Sequence, residues 1–228
     1  MQAPQAQVQT CGDWDMRHLL RHVGEVHRWC AAIVRSGAQA RQPHLDGPDA
    51  DISIEDLAGW YREGLVGLCG VLGEAAPEAP AWTFSTAGHR NVGWWQRRMV
   101  VETAVHRWDA QQARSAGSAE PTDADVAVEG IEEYVTDLLP RALQRASMAL
   151  QGTLHLHATD DVQRGEWLID FGADPPAVSA GHAKADTAIR GPSSDLLLWL
   201  WNRLAGGGAR LEVFGSADPV TAWPRLAL

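Results

Sequence analysis

Lysine is nearly absent from these 228 residues: of 19 basic side chains only Lys184 is not an arginine. The basic side is also outnumbered, with 29 acidic residues giving a formal net charge of −10. Such a chain repels polyphosphate and lacks the usual electrostatic contribution to nucleic-acid binding, so neither DNA nor RNA is an expected partner. Cysteine is scarce too. Cys11, Cys30 and Cys69 are widely spaced with no CxxC pair, which excludes a disulfide framework and a thiolate zinc knuckle. No apolar run approaches the ~20 residues of a membrane helix. The opening MQAPQAQVQTCGDWD lacks the charged-then-apolar order of a secretion signal. A cytoplasmic protein with no membrane partner is the expectation. What is present is ordinary for a globular chain, 45% hydrophobic and 21% charged, which excludes disorder as the main state.

The hydrophobic period changes near residue 150. Before it, apolar residues recur at helical spacing; beyond it, Leu154, Leu156, Trp167, Ile169, Ile189, Leu211 and Val213 fall in short alternating stretches. The expected architecture is α+β, with a helical bundle over residues 1–150 and a small α+β domain over 151–228. The spacing predicts helices over 13–35, from Ser53 with Asp56 as capping partner, over 94–114, and after Thr122, with Pro140 kinking or ending the last. The Pro- and Gly-containing stretch 77–93 is read as a loop. TLHLHAT and GEWLIDFG read as a hairpin, DTAIRG as a strand, 193–204 as a helix stopped by AGGG, and ARLEVFG as a final strand.

The most informative stretch is VVETAVHRWDA. Glu102 and His106, four apart, project from one face of their helix, which Trp95 and Met99 share, with Arg98 and Asp109 at its edges. A carboxylate among apolar neighbours must be paired or bound to a cation. The 13–35 helix offers His22 toward its apolar face, with His18 and His27 nearer the margins. Two imidazoles and one carboxylate with open positions left over make a catalytic type of zinc site. His18 and His22, also four apart, form a rival pair. Asp109, one turn after His106, is placed to fix its tautomer. Trp94 and Trp95 either stack on a sugar face or fill the core. His155 and His157 share one side of a strand with no third ligand in view, which reads as a solvated sheet face. Arg203 is either a carboxylate-binding group or a cation at a helix end.

Taken in order, WDMRHLLRHVGEVHRWCAAIV, WWQRRMVVETAVHRWDAQQA and ADTAIRGPSSDLLLWLWNR resemble the mycothiol-dependent maleylpyruvate isomerase family, a DinB-like metal-binding helical bundle with a small C-terminal domain. The resemblance implies a zinc ion on His22, Glu102 and His106, and favours His22 over His18. It implies mycothiol as the low-molecular-weight thiol, and a role in activity for an arginine that corresponds to Arg203. Catalysis is thus expected to involve Arg203 and Asp109, and mycothiol binding Trp95 and Arg203. Members of that family carry a further helix ahead of the segment matching VQTCGDW, and ten residues precede Cys11 here. The bundle's first helix is therefore expected to be missing, leaving a bare apolar stripe through which a homodimer would form, unless the helix after Thr122 covers it.

Zinc with an open position turns a thiol, pKa near ~8.5, into a thiolate at neutral pH. Addition to a small electrophile then gives a cis-trans isomerase, or an S-transferase if the adduct is kept. A metal-dependent hydrolase using zinc-bound water and a non-catalytic interaction module are the alternatives.

Overall fold

The structure, a computed structural model, describes residues 6–45, 47–161, 163–204 and 210–226. Asp15 starts helix α1 (Met16–Ser36) by accepting from the backbone N–H groups of Arg17 and His18, and Gly37, left-handed at φ 60°, ends it. Ser53 caps α2 (Ile54–Glu74) through the N–H of Asp56, and Asn91 caps α3 (Val92–Arg114) through that of Trp94. These three helices fall close to the expected spans, because each couples an apolar face to a capping residue.

The chain divides into two compact units: Met1–Phe84 with Gly88–Glu120, and Ser85–Ala87 with Pro121–Leu228. In the first, α1 packs chiefly on α2 and also along α3. Gly24 of α1 lets the Trp60 ring of α2 lie against its backbone, since a Cβ there would sit 2.2 Å from the ring. Trp29, Cys30, Ile33, Leu68, Trp94, Trp95 and Met99 form the main core. Part of the stripe expected to lie bare is covered within this unit. Val8, Leu19 and Val23 are buried together, with Trp14, Tyr61 and Ala110 packed against them. The covering residues come from the short segment before α1, whose 3-10 turn (Gln9–Cys11) carries no helical periodicity by which to foresee it.

In the second unit the change of period marks the start of the sheet and not the division between units. Helix α4 (Ala124–Glu133) is amphipathic like the helices before it, yet it packs on α6 (Ser193–Leu200). Thr122 does not cap α4; its N–H is bonded to Ser194 Oγ at 2.9 Å. The α-helix that Pro140 was expected to kink or end is interrupted just before it. The chain widens to a π-helical stretch at Tyr134–Leu138, and α5 (Leu139–Ala146) resumes with Pro140 in its first turn, where no N–H is required.

Strands β1 (Thr153–Ala158), β2 (Glu166–Asp170), β3 (Ala177–Ala180), β4 (Thr187–Gly191) and β5 (Glu212–Gly215) form one sheet in the order β3-β2-β1-β4-β5. β1 and β4 are parallel and the other pairs antiparallel. Leu154, Leu156, Trp167, Ile169 and Ile189 share one buried face, while His155 and His157 alternate onto the other. β3 went unforeseen because AVSA is short, weakly apolar and mostly exposed. A short helix α7 (Asp218–Ala222) follows β5. Helix α6 ends four residues early, at Leu200, where Asn202 turns left-handed; the AGGG stop lies outside the described residues. Among the described residues no helix is long and apolar enough to cross a membrane. The architecture is α+β.

Candidate metal centre

Helix α1 presents His22 and helix α3 presents Glu102 and His106, all within the first unit. His22 Nε2 lies 3.2 Å from Glu102 Oε1, and His106 Nε2 lies 3.4 Å from the same oxygen. One nitrogen or oxygen from each residue lies within 4.8 Å of the other two. Bonds of ~2.0–2.1 Å in a tetrahedral zinc site put neighbouring ligand atoms roughly 3.3 Å apart. Both nitrogen-to-carboxylate distances have that spacing.

The ring of His106 is held from its other side. Nδ1 lies 2.9 Å from Asp109 Oδ2, so the Nδ1 proton is donated there and Nε2 is turned toward the cluster. Asp109 is itself fully buried and accepts from Thr10 Oγ1 at 2.6 Å and from Cys11 Sγ at 3.4 Å. Trp14 packs against both imidazoles, with ring centroids 4.8 Å from His22 and 6.4 Å from His106. Asp109 is placed to orient the His106 ring, the role its position one turn after His106 led us to expect.

Arg98 answers part of the charge question. Its Nη2 donates to Glu102 Oε2, so one carboxylate oxygen is held by the guanidinium and the other faces the histidines. Burial pushes Glu102 up, but the Arg98 charge and hydrogen bonds from His106 and His22 outweigh it and hold the carboxyl well below its ordinary range. Burial also opposes a charged His106, yet its bonds to Asp109, Cys11 and Glu102 prevail and raise its pKa to about 11. Without metal the ring therefore keeps its second proton, the proton a cation would displace from Nε2. The donor set fits a zinc ion: two imidazoles and one carboxylate oxygen, with the second oxygen satisfied elsewhere.

The other expected residues fall as follows. His18 is exposed and bonded to Asp15 at 2.8 Å, whereas His22 faces Glu102. His27, expected near a margin, is fully buried, with Nε2 3.0 Å from Thr103 Oγ1. Trp95 is also fully buried, among Trp29, Trp82, Phe84 and Trp94, and its indole N–H donates to the Trp82 carbonyl at 2.6 Å. The ring on which mycothiol was expected to bind is thus enclosed by the aromatic core. Arg203 belongs to the second unit, beyond the end of α6, where Nη1 donates to the Trp201 carbonyl at 2.8 Å. Thr10, Cys11 and Arg98 escaped the sequence reading as site residues. For Arg98 a signal existed, since it stands four residues before Glu102 on the same helix. Thr10 and Cys11 reach Asp109 across nearly a hundred residues, and no local pattern encodes that contact.

Residues 2–111 match the family model of the mycothiol maleylpyruvate isomerase N-terminal domain, and residues 125–220 match the model of the MDMPI C-terminal domain. No curated protein matches the chain. Among solved structures, sterol carrier protein 2 like 2 from Aedes aegypti is similar at 19% identity and a TM-score of 0.30. The similarity covers 42% of this chain and 95% of that one. The two family matches together span nearly all of the sequence, in the order the motifs run: the chain belongs to the mycothiol maleylpyruvate isomerase family.

Proposed function

We propose that this chain is an enzyme in which mycothiol adds to a small conjugated electrophile, as a cis-trans isomerase of the maleylpyruvate type, with zinc held by His22, Glu102 and His106. The observation that carries the proposal is the convergence of two Nε2 atoms and one carboxylate oxygen, with His106 Nδ1 tied to Asp109. Zinc bound there supplies the Lewis acidity that lets a thiol with a free pKa near ~8.5 react as a thiolate at neutral pH.

The chain's own residues do the rest. Glu102 and His106 are nearly enclosed, whereas the His22 side chain is 35% exposed. The thiol and the electrophile therefore approach past His22, beside Trp14, and the thiol proton leaves to solvent on that side. Arg98 holds the far oxygen of Glu102, and Asp109 keeps the His106 ring from turning. The thiolate sulfur adds to the double bond and pushes the electron pair toward the conjugated carbonyl. The carbon–carbon bond, now single, rotates. Return of the pair expels the thiolate and leaves the trans isomer, so mycothiol is regenerated. Arg203 contributes to turnover by the family resemblance. The compartment this reading requires is the cytoplasm, where thiols stay reduced.

The test is to supply maleylpyruvate to the zinc-loaded protein with and without mycothiol. Isomerisation only when the thiol is present is expected. Equal turnover without thiol would overturn the proposal, and hydrolysis of the substrate would move the site to the water-activating class.

A further inference from the structure

The sheet of the second unit brings together four residues that the family assignment does not use. His155 and His157 stand two apart on β1 and so share a face. Glu166 of β2 pairs directly opposite His157 in the antiparallel register. Beyond β3, Gly181 N–H donates to the Glu166 carbonyl at 3.0 Å, continuing the pairing for one residue past Ala180, and this returns His182 over the same carboxylate. The third ligand missing from the sequence reading is thus supplied by strand pairing, eleven and sixteen residues away from its partners.

We propose that His155, Glu166 and His182 form a second divalent-metal site of zinc type, with His157 as its fourth ligand. His182 Nδ1 lies 2.8 Å and His155 Nε2 3.1 Å from Glu166 Oε2, and the donor atoms of these three residues all fall within 4.8 Å of one another. His157 Nε2 is 3.8 Å from the other carboxylate oxygen, Oε1. The His155 and His182 rings are edge to face with centroids 5.3 Å apart, and the His157 ring is 6.1 Å from one and 6.5 Å from the other. The nitrogen-to-carboxylate distances of 2.8, 3.1 and 3.8 Å bracket the separation of ligand atoms around one zinc ion, roughly 3.3 Å. Three imidazoles with one carboxylate suit zinc, copper(II) or nickel(II), and a calcium or magnesium site would need more oxygen ligands. The cation on this face, Arg190 opposite His157 on β4, is paired with Glu212 at 3.3 Å.

The ligands come from β1, β2 and the segment after β3, so the bound metal clasps that segment to the sheet. With four protein ligands the coordination is closed, the mark of a structural site and not of a catalytic one. The cluster lies wholly within the second unit and shares no residue with His22, Glu102 and His106.

The experiment is a cobalt(II) titration of the metal-stripped full chain, followed by visible absorption and by equilibrium dialysis. It compares wild type, His182→Ala, Glu166→Gln and the Glu102→Ala, His106→Ala double variant. The His182 side chain is 78% exposed, so its removal leaves the fold intact, and Glu166→Gln retains a hydrogen-bonding side chain while losing the charge. Loss of an outer partner typically weakens a metal by ~10 to 100-fold, and loss of a direct ligand does so at least as strongly. His182→Ala and Glu166→Gln are each expected to lose one tight equivalent relative to wild type, while the double variant still binds cobalt at the sheet. Equal stoichiometry and affinity in wild type and His182→Ala would overturn the proposal. So would a double variant that binds no cobalt.

Discussion

His106 and Asp109, one turn apart on α3, face each other at 2.9 Å through Nδ1 and Oδ2, and that contact decides which nitrogen of the ring faces Glu102 and His22. Thr10 and Cys11 in turn hold Asp109 from the segment before α1. The candidate metal centre is thus supported by residues outside its His22, Glu102 and His106 set.

Asp109→Asn removes the charge that fixes the His106 tautomer while keeping the volume. Zinc affinity should fall by ~10 to 100-fold, with circular dichroism unchanged. Competition with a chromophoric chelator measures this, and an affinity equal to wild type would show that Asp109 plays no part in orienting the ring.

Arg98→Met leaves Glu102 buried with one oxygen unpaired when no metal is bound. Breaking a buried pair from one side costs about 3–5 kcal/mol. The variant should therefore melt well below wild type after metal stripping, and zinc should recover part of the loss, because the cation then balances Glu102. Thermal denaturation of both proteins with and without zinc checks it; a deficit of the same size in both states would contradict it.

Trp95→Phe tests the placement of that ring in the aromatic core. Stability should fall, since Trp29, Trp82 and Trp94 lose contact area and the Trp82 carbonyl loses its donor. KM for mycothiol should stay within about twofold of wild type, within the scatter expected when no binding contact is lost. A large rise in KM at unchanged stability would restore the ligand role.

His27 supplies a pH dependence. Burial pushes its pKa down to about 4 from an ordinary 6.5, an effect the Glu102 charge opposes without reversing. The unfolded chain therefore takes up this proton at higher pH than the folded one, so the contribution is complete above pH 6.5 and is lost as the pH falls toward 4. Its full extent is about 3 kcal/mol. His27→Gln should flatten the difference in urea stability between pH 7 and pH 4.5, relative to wild type. Parallel pH profiles for the two proteins would contradict the assignment.

Much of this was legible from residue spacing, and what was not has identifiable causes. Helices α1 and α2 announce themselves by an apolar face, with Ser53 readable as the cap of α2, and the structure adds Asp15 and Asn91 as the caps of α1 and α3. Glu102 and His106 are readable because four residues make one helical turn, and His22 because it falls toward an apolar face. The sheet cluster is not readable in this way, since His182 reaches Glu166 only through the β2–β3 pairing, and β3 has almost no pattern of its own. Trp95 shows the limit of residue type as a guide: a tryptophan beside a metal-binding helix face reads equally as a ligand platform or as core, and only its burial decides. The π-helical stretch before Pro140 is a tertiary accommodation, in which packing keeps Tyr134, Val135 and Leu138 buried where local rules would have ended the helix.

The central claim is that the His22, Glu102 and His106 centre, loaded with zinc, carries a thiol-dependent isomerisation. The most direct measurement is the mycothiol-dependent rate of metal-stripped protein as zinc is added back, in wild type, in His182→Ala and in the Glu102→Ala, His106→Ala variant. The account predicts no rate before zinc, full recovery in wild type and His182→Ala alike, and none in the double variant. Full turnover by the stripped wild-type protein, or recovery in the double variant, would contradict it.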